Sequence, residues 1–219
     1  MIDKLIPLEE AAGMIVDGAT IMIGGFMGCG NAHHFIDALV ARKPQHLTLI
    51  CNDAGTPGYG VAKLVEHRMI TRLVASHVGL NPLVATQMNE GFLEVQLVPQ
   101  GTLVERIRAF GAGLGGILTP TGLGTRVEEG KQVVEVEGKR YLLETPLRAD
   151  FAIINGYKVD RYGNVWYKGT QRNFNYAMAM AATTVICEAD TLVQPGDIPP
   201  EDVVTPGVFV DYIVEGGEL

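Results

Sequence analysis

The segment DGATIMIGGFMGCGNAHHFIDALV, residues Asp17–Val40, points to both a fold and a site. An apolar, strand-like run over Ala19–Gly25 leads into a loop that has four glycines between Gly24 and Gly30. Apolar residues at helical spacing follow over His33–Arg42, and Pro44 ends that helix. A junction of strand, glycine loop and helix collects unpaired backbone N–H groups beside the positive end of a helix dipole. The loop is therefore predicted to bind an anion or a developing oxyanion.

The glycines also allow a plainer interpretation, a tight turn without a ligand. A tight turn needs one glycine with a positive φ, however, and this loop has four. We therefore treat the whole loop as the candidate site. Its residues are Gly24, Gly25, Phe26, Met27, Gly28, Cys29 and Gly30.

Two kinds of nucleotide-binding loop are excluded by their spacing. The dinucleotide fingerprint needs glycines at relative positions one, three and six, and Phe26 stands third from Gly24. The segment GAGLGG at Gly111–Gly116 has the right letters, but it follows a predicted helix instead of a strand. A P-loop needs Ser or Thr after its Gly-Lys pair, and Gln132 follows Gly130-Lys131. The remaining interpretation is an oxyanion loop for acyl chemistry, whose amides stabilise a tetrahedral intermediate.

The first half of the chain alternates short apolar runs with amphipathic helices, from Ala19 to Phe110. Such alternation indicates βαβ units and a parallel sheet flanked by helices. The strands are apolar on both faces, as a covered parallel sheet requires. The predicted fold class is therefore α/β with a mostly parallel sheet, and the helix Thr102–Phe110 closes the alternation.

The second half has a different character. Gly111–Thr125 is rich in Gly, Thr and Pro and is predicted to be a long loop. Two β-hairpins are predicted after it, one turning at Glu137-Gly138 and the other at Arg161–Asn164. Thr183–Ala189 is predicted to be a buried strand. We expect one domain over residues 1–219, with β-hairpin elaborations in the C-terminal half.

Composition and charge exclude several classes of function. The formal net charge of −8 argues against a nucleic-acid binder, which usually has a basic face. No apolar run approaches the ~18 residues of a membrane span, and the N-terminus MIDKLIPLEE has acids where a signal peptide is basic and then apolar. The three cysteines offer no disulfide framework or zinc spacing. We expect a soluble cytoplasmic protein without a metal.

Polar residues at strand ends are further candidates for the site. Asn52 and Asp53 follow the second strand at its carboxyl edge, where parallel sheets bind ligands, and Gln100 follows a later strand. We interpret all three as candidates for substrate binding. The structural alternatives carry equal weight, an Asx turn for the first two and a helix cap for Gln100. Glu144 and Glu188 also end apolar runs, but nothing nearby would activate either as a nucleophile.

Taken together, these motifs resemble the α subunit of the family I CoA-transferases. The family signature is Asp-Gly, two spacers, three apolar residues, Gly-Gly-Phe, three spacers and Gly, and Asp17–Gly30 has this order. The resemblance covers nearly the whole chain and continues through Ile50–Gly55, Val98–Gly116, Thr119–Thr125, Val159–Asn164 and Arg172–Asn175. Ala32 stands where the family usually has proline, a change expected to affect loop rigidity more than chemistry.

The resemblance implies a ping-pong transfer of CoA from an acyl-CoA to a carboxylate, by way of a glutamate. The family carries that glutamate in a Ser-Glu-Asn-Gly segment of its β subunit, and this sequence has no such segment. The resemblance thus implies no catalytic nucleophile in this chain and a heterotetramer of two α and two β subunits. Coenzyme A would be a substrate and product, with no permanent cofactor. The loop Gly24–Gly30 would hold the oxyanion and the adjacent end of CoA.

Several functions stay open at this point. The resemblance is closest to acetate/butyrate–acetoacetate CoA-transferases, and 3-oxoacid (succinyl-CoA) and 3-oxoadipate transferases are alternatives. A self-sufficient acyl-CoA hydrolase would use a glutamate of its own and turn over as a single chain. An acyl-CoA-binding regulatory protein would bind its ligand without turnover, even beside a β subunit.

Overall fold

The computed structural model describes residues 3–217, in which helices and strands alternate over the first half. The helices are α1 (Leu8–Gly13), α2 (His33–Arg42), α3 (Ala62–Glu66), α4 (Pro82–Asn89), α5 (Gln100–Gly111) and α6 (Asn175–Met178). The strands are β1 (Thr20–Ile23), β2 (Leu47–Ile50), β3 (Ile70–Ala75), β4 (Glu94–Leu97), β5 (Ile117–Thr119), β6 (Val133–Val136), β7 (Lys139–Glu144), β8 (Ala149–Asp160), β9 (Val165–Trp166), β10 (Ala182–Val193) and β11 (Tyr212–Glu215). The predicted α/β class is confirmed.

The large sheet has the strand order β11-β10-β8-β1-β2-β3-β4, and all neighbours in this order are parallel. From β1 the chain proceeds through β2, β3 and β4 towards one edge, while β8, β10 and β11 build the other half. Strand order therefore reverses between β1 and β8. In open parallel sheets, ligands bind beyond the carboxyl ends of the strands at such a reversal. The glycine loop leaves β1 at this position.

Apolar side chains cover both faces of this sheet. On one face, Ile21 and Ile23 of β1 belong to a buried cluster with Phe35 of α2. On the other face, Met22 belongs to a second cluster with Leu103 of α5. Strands buried on both sides read as continuous apolar runs, as predicted for β1 to β3. That prediction is wrong for β4, because this strand lies at the edge of the sheet and its four residues are exposed or half-buried.

A smaller antiparallel sheet has the order β5-β7-β6. The hairpin at Glu137-Gly138 is confirmed, and both turn residues have the positive φ of a type I′ turn, 50° and 75°. The prediction that Gly111–Thr125 is entirely loop is wrong, because Ile117–Thr119 pairs with β7 as strand β5. The second predicted hairpin is confirmed as β8–β9, with its turn at residues 161–164.

A buried ion pair ties the small sheet to α5. Glu144, at the end of β7, is 2% exposed and lies 3.7 Å from the Arg106 guanidinium and 2.5 Å from Lys131 Nζ. Arg106 also donates its Nε–H to the Thr145 carbonyl at 2.6 Å. A carboxylate buried in this way is tolerated because cations and hydrogen-bond donors surround it.

Replacing Arg106 with alanine should lower the free energy of unfolding by about 3 kcal/mol, because it leaves the buried Glu144 carboxylate with a partner missing. The matched control is Arg140→Ala on β7, whose pair with Glu128 is exposed and should cost less than about 1 kcal/mol. Denaturant unfolding of both variants measures the two costs. Equal losses would contradict a stabilising role for the buried pair.

Candidate active site

The glycine loop turns back on itself at its tip. The N–H of Phe26 donates to the Cys29 carbonyl at 3.0 Å, and the Cys29 N–H donates to the Phe26 carbonyl at 2.9 Å. The two residues between them, Met27 and Gly28, have φ values of 51° and 84°. Positive φ at both central positions is the signature of a type I′ turn, which favours Asn or Gly. Glycine adopts this backbone freely, whereas methionine there costs roughly 1–2 kcal/mol.

Two other loop glycines are required by close packing. A Cβ on Gly24 would lie 1.8 Å from Asn175 Oδ1, and a Cβ on Gly25 would lie 1.9 Å from Asn31 Nδ2. Gly25 also has a φ of 129°, which L-residues rarely adopt. The glycines therefore let asparagine side chains reach the loop backbone. Their number reflects this packing as well as any ligand.

Three asparagine side chains hold the loop carbonyls. Asn31 donates to the Gly24 carbonyl at 2.6 Å, and Asn175 donates to the Gly30 carbonyl at 2.9 Å. Asn173 donates to the Cys29 carbonyl at 2.9 Å and accepts the Gly25 N–H at 3.0 Å. Sequence reasoning did not assign a role to any of them. For Asn173 and Asn175 the one signal was the segment Arg172–Asn175, far from the loop along the chain, whereas Asn31 directly follows Gly30.

Most loop amides already have acceptors within the protein. Gly24 donates to the Ile153 carbonyl, Gly25 to Asn173, and Met27 to Asp53. Within residues 3–217, the N–H groups of Gly28 and Gly30 have no acceptor. These two glycines are therefore the loop's available donors for an anionic oxygen.

The amino end of α2 is occupied by a carboxylate from β10. Glu188 Oε2 accepts the Phe35 N–H at 2.7 Å, and Oε1 accepts the His34 N–H at 3.3 Å. Ala32, at the cap position, supplies no side-chain acceptor, so Glu188 takes that place. Two amides at the start of the helix beside the predicted loop site, those of His34 and Phe35, therefore already have an acceptor within the protein. Glu188 could not be linked to α2 from the sequence, because their partnership is a tertiary contact.

Burial shifts the pKa values of two groups beside the loop. Desolvation raises the pKa of Glu188, although the hydrogen bond from the Phe35 amide opposes the shift. Desolvation also lowers the pKa of His33, against the opposing effect of its bond to Gly28. A neutral His33 donates Nε2–H to the Gly28 carbonyl at 3.0 Å, and its ring centroid lies 4.4 Å from that of Tyr59. His33 thus supports the loop turn.

The structure brings the three strand-end candidates together in one hydrogen-bonded chain. Gln100 Nε2 donates to Asn52 Oδ1 at 2.7 Å, and Asn52 Nδ2 donates to Asp53 Oδ2 at 2.9 Å. Asp53 Oδ2 also accepts the Met27 N–H at 2.9 Å, which connects this series of hydrogen bonds to the loop. The predicted Asx turn is confirmed, because Asp53 Oδ1 accepts the Gly55 N–H. Gln100 opens α5 but makes no side-chain cap.

Known proteins share both the sequence and the fold of this chain. A profile of the coenzyme A transferase family matches residues 6–216. The chain belongs to the coenzyme A transferase family. It is 50% identical over 215 residues to the acetoacetyl-CoA:acetate/butyrate CoA transferase alpha subunit of Clostridium acetobutylicum, covering 98% of this chain and 99% of that one. It is 46% identical to the acetate CoA-transferase subunit alpha of Escherichia coli K12, covering 98% of each.

Solved structures agree on the fold. An acyl-CoA transferase from E. coli O157:H7, in a thioester complex with CoA, superimposes with a TM-score of 0.85 at 23% identity. The match covers 97% of this chain and 47% of that one, so the chain spans about half the length of this solved relative. The predicted CoA-transferase-like fold is confirmed.

Two cavities of similar size lie at the loop of this transferase subunit. One has a mixed polar and apolar lining and a volume of about 390 Å³, and its lining includes Gly28, Cys29, Gly30, Lys168, Glu188 and Asp190. The other is also about 390 Å³ and more apolar, and its lining includes Phe26, Gln100, Val104, Phe174 and Tyr176. The loop thus presents its free amides beside one cavity and an aromatic side chain beside the other.

Two classes of feature are not found in the described part of the chain. Residues 3–217 contain no group of three or more His, Cys, Asp or Glu side chains placed to bind a metal ion. None of the helices there is both long and apolar enough to cross a membrane.

Glu188→Ala should lower the free energy of unfolding by about 1–3 kcal/mol, because the His34 and Phe35 amides lose their acceptor. Glu188→Gln keeps one carbonyl oxygen and should lose less stability than Glu188→Ala.

Because burial raises the pKa of Glu188 above 4.5, the folded protein binds that proton more tightly than the unfolded chain does. This contribution to stability is lost as pH rises through the raised pKa. Unfolding measured from about pH 4 to pH 7 should therefore show the Gln variant gaining relative to wild type. A difference in unfolding free energy between the two proteins that stays constant over this pH range would contradict the raised pKa of Glu188.

Proposed function

We propose that this chain is the α subunit of a CoA-transferase that moves CoA from acetoacetyl-CoA, or another short-chain acyl-CoA, to acetate or butyrate. The observation that carries this proposal is the state of the carboxylates at the loop. Glu188 binds the α2 amides, and Asp53 binds the amides of Met27 and Gly55. Asp190 accepts hydrogen bonds from Asn155 and Gln171. All three carboxylates are thus held by hydrogen bonds within the chain, which favours a structural role for each of them.

In this proposal the nucleophile is supplied by a second polypeptide. This division of labour agrees with the similar Clostridium and E. coli proteins, which are named as alpha subunits. Phe26, Met27 and Tyr59 expose apolar surface at the loop, which suits cover by a partner. In this proposal the partner is a β subunit, the assembly has two chains of each kind, and it works in the cytoplasm. The chain contributes a single domain over residues 1–219.

The reaction follows from a carboxylate nucleophile on the partner. Its oxygen attacks the thioester carbonyl, the C–S bond of the tetrahedral intermediate breaks, and CoA leaves as a thiolate while an acyl–glutamyl anhydride forms. The thiolate then attacks the glutamyl carbonyl, which releases the first carboxylate and leaves a glutamyl-CoA thioester. The second carboxylate reverses these two steps and departs as the new acyl-CoA. Each attack creates a tetrahedral oxyanion, which donors fixed in advance stabilise.

The N–H groups of Gly28 and Gly30 are this chain's donors for those oxyanions. Gln100 lies beside the apolar cavity, where its amide and the neighbouring Phe26 would border the acyl group. Asn52 and Asp53 are 1% and 6% exposed, so they act mainly by holding Gln100 and the loop. Free CoA is bound and released in each cycle, and no permanent cofactor takes part.

The test is CoA transfer from acetoacetyl-CoA to acetate, butyrate, succinate and 3-oxoadipate, with this chain alone and with its β partner co-expressed. We expect transfer only with the partner, and faster transfer with acetate or butyrate. Turnover by the single chain would overturn the proposal in favour of a self-sufficient hydrolase or transferase. Preference for a dicarboxylate would overturn the assigned substrate class, and ligand binding without transfer would indicate a regulatory protein.

Gly28→Val should lower turnover of the reconstituted enzyme about 10²-fold, because the new side chain displaces a donor of the oxyanion site. A Cβ there would lie 2.1 Å from the Tyr59 ring, on a backbone with a φ of 84°. The control is Gly58→Ala, which has a similar φ of 80° but meets nothing within 4 Å. Unchanged turnover in Gly28→Val, with the chain folded, would remove the loop from the mechanism.

A further inference from the structure

We propose that Asp53 is a positioning residue that keeps the Met27-Gly28 turn left-handed and so leaves the Gly28 N–H free for the reacting acyl group. The geometric part of this proposal concerns the chain alone, whereas its effect on transfer rests on the proposed function. It replaces the interpretation of Asp53 as a residue that binds substrate directly.

The turn needs an external support because of its sequence. Met27 has a φ of 51°, and a methionine side chain offers no local hydrogen bond to stabilise that backbone. Asn or Gly would serve at this position of a type I′ turn without support. Strained residues of this kind persist where the surrounding structure holds them, and they concentrate at functional sites.

Asp53 supplies this support by a hydrogen bond to the loop backbone. Its carboxylate follows β2, is nearly buried, and accepts the Met27 N–H at 2.9 Å. Hydrogen bonds to a carboxylate are stronger than those to a neutral acceptor. The carboxylate is itself held by the Gly55 N–H and by Asn52 Nδ2, both at 2.9 Å. The acceptor for Met27 is therefore rigid.

The far side of the turn is held separately. The Gly28 carbonyl accepts His33 Nε2–H at 3.0 Å and the Asn31 N–H at 3.1 Å. Asp53 thus fixes the amide before the turn's middle peptide, and His33 with Asn31 fixes the carbonyl after it. The N–H of Gly28 lies between these two anchors and has no acceptor within residues 3–217. Release of the Met27 anchor would let that peptide rotate.

The first test uses the chain without a partner. Cys29 is the exposed thiol in the loop, whereas Cys51 and Cys187 are buried, so reaction with a disulfide reagent such as DTNB reports on loop conformation. Asp53→Asn removes the charge and leaves one acceptor oxygen for the Met27 and Gly55 N–H groups, and it should change the Cys29 labelling rate at least about fivefold, as expected for loss of one such interaction. An unchanged rate in a folded chain would overturn the proposal. Cys29→Ser identifies the labelled thiol.

The second test asks whether Asp53 acts through Met27. Met27→Gly removes the backbone strain, so adding Asp53→Asn to it should change labelling less than twofold. In the reconstituted enzyme, Asp53→Asn should lower kcat about tenfold or more with little change in KM, and the loss should be much smaller in the Met27→Gly background. Equal losses in both backgrounds would mean direct contact with substrate and would overturn the proposal.

The two tests distinguish a failure of the positioning role from a failure of the proposed function. If Asp53→Asn does not fold, Asp53→Glu is used, because it keeps the charge and displaces the carboxylate by one methylene. Labelling that responds as expected, in an assembly that transfers no CoA with wild-type chains, would contradict the proposed function and leave the positioning role standing. A Cys29 labelling rate that does not change when Asp53 is substituted would contradict the positioning role, even if the assembly is an active transferase.

Discussion

The site depends on one constraint, a left-handed turn at the carboxyl end of β1 that three polar side chains hold by hydrogen bonds. Asp53 holds the Met27 amide, His33 holds the Gly28 carbonyl, and Asn173 holds the backbone at Gly25 and Cys29. Asp53 and Asn173 come from segments far from the loop in sequence, whereas His33 lies five residues after Gly28. The parallel sheet places β1 between β2, which leads to Asp53, and β8, at the reversal of strand order. The fold therefore sets the position of the loop, and the polar side chains set its shape.

The same polar network determines which chemical groups this chain can contribute to a reaction. A buried carboxylate must be paired or hydrogen-bonded, and Glu188 and Asp53 meet this requirement at the loop, as does the partly buried Asp190. These hydrogen bonds favour a structural role for all three carboxylates. The amides that remain, those of Gly28 and Gly30, are electrophilic donors without a nucleophile. A site of this composition suits one half of an acyl-transfer centre, and membership of the coenzyme A transferase family agrees with that chemistry.

Local patterns in the sequence predicted the elements well. Helix α2 runs from His33 to Arg42 as expected from its apolar spacing and Pro44, and both hairpin turns lie where glycine-containing turns were expected. Strand β5 was missed because three residues, Ile117–Thr119, are too few to show alternation and pair only through β7. The roles of Glu188 and Asn175 were also missed. Nothing near either residue in the sequence indicates that it will meet the loop or α2.

The central claim is that the covalent intermediate forms on another chain. The most direct measurement is intact mass spectrometry of both separated chains after the co-expressed assembly is incubated with acetoacetyl-CoA and no acceptor carboxylate. The account predicts that the mass of a CoA thioester adduct appears on the partner and that this chain keeps its unmodified mass. An adduct on this chain would contradict the account, because it would show that one of its own carboxylates is the nucleophile.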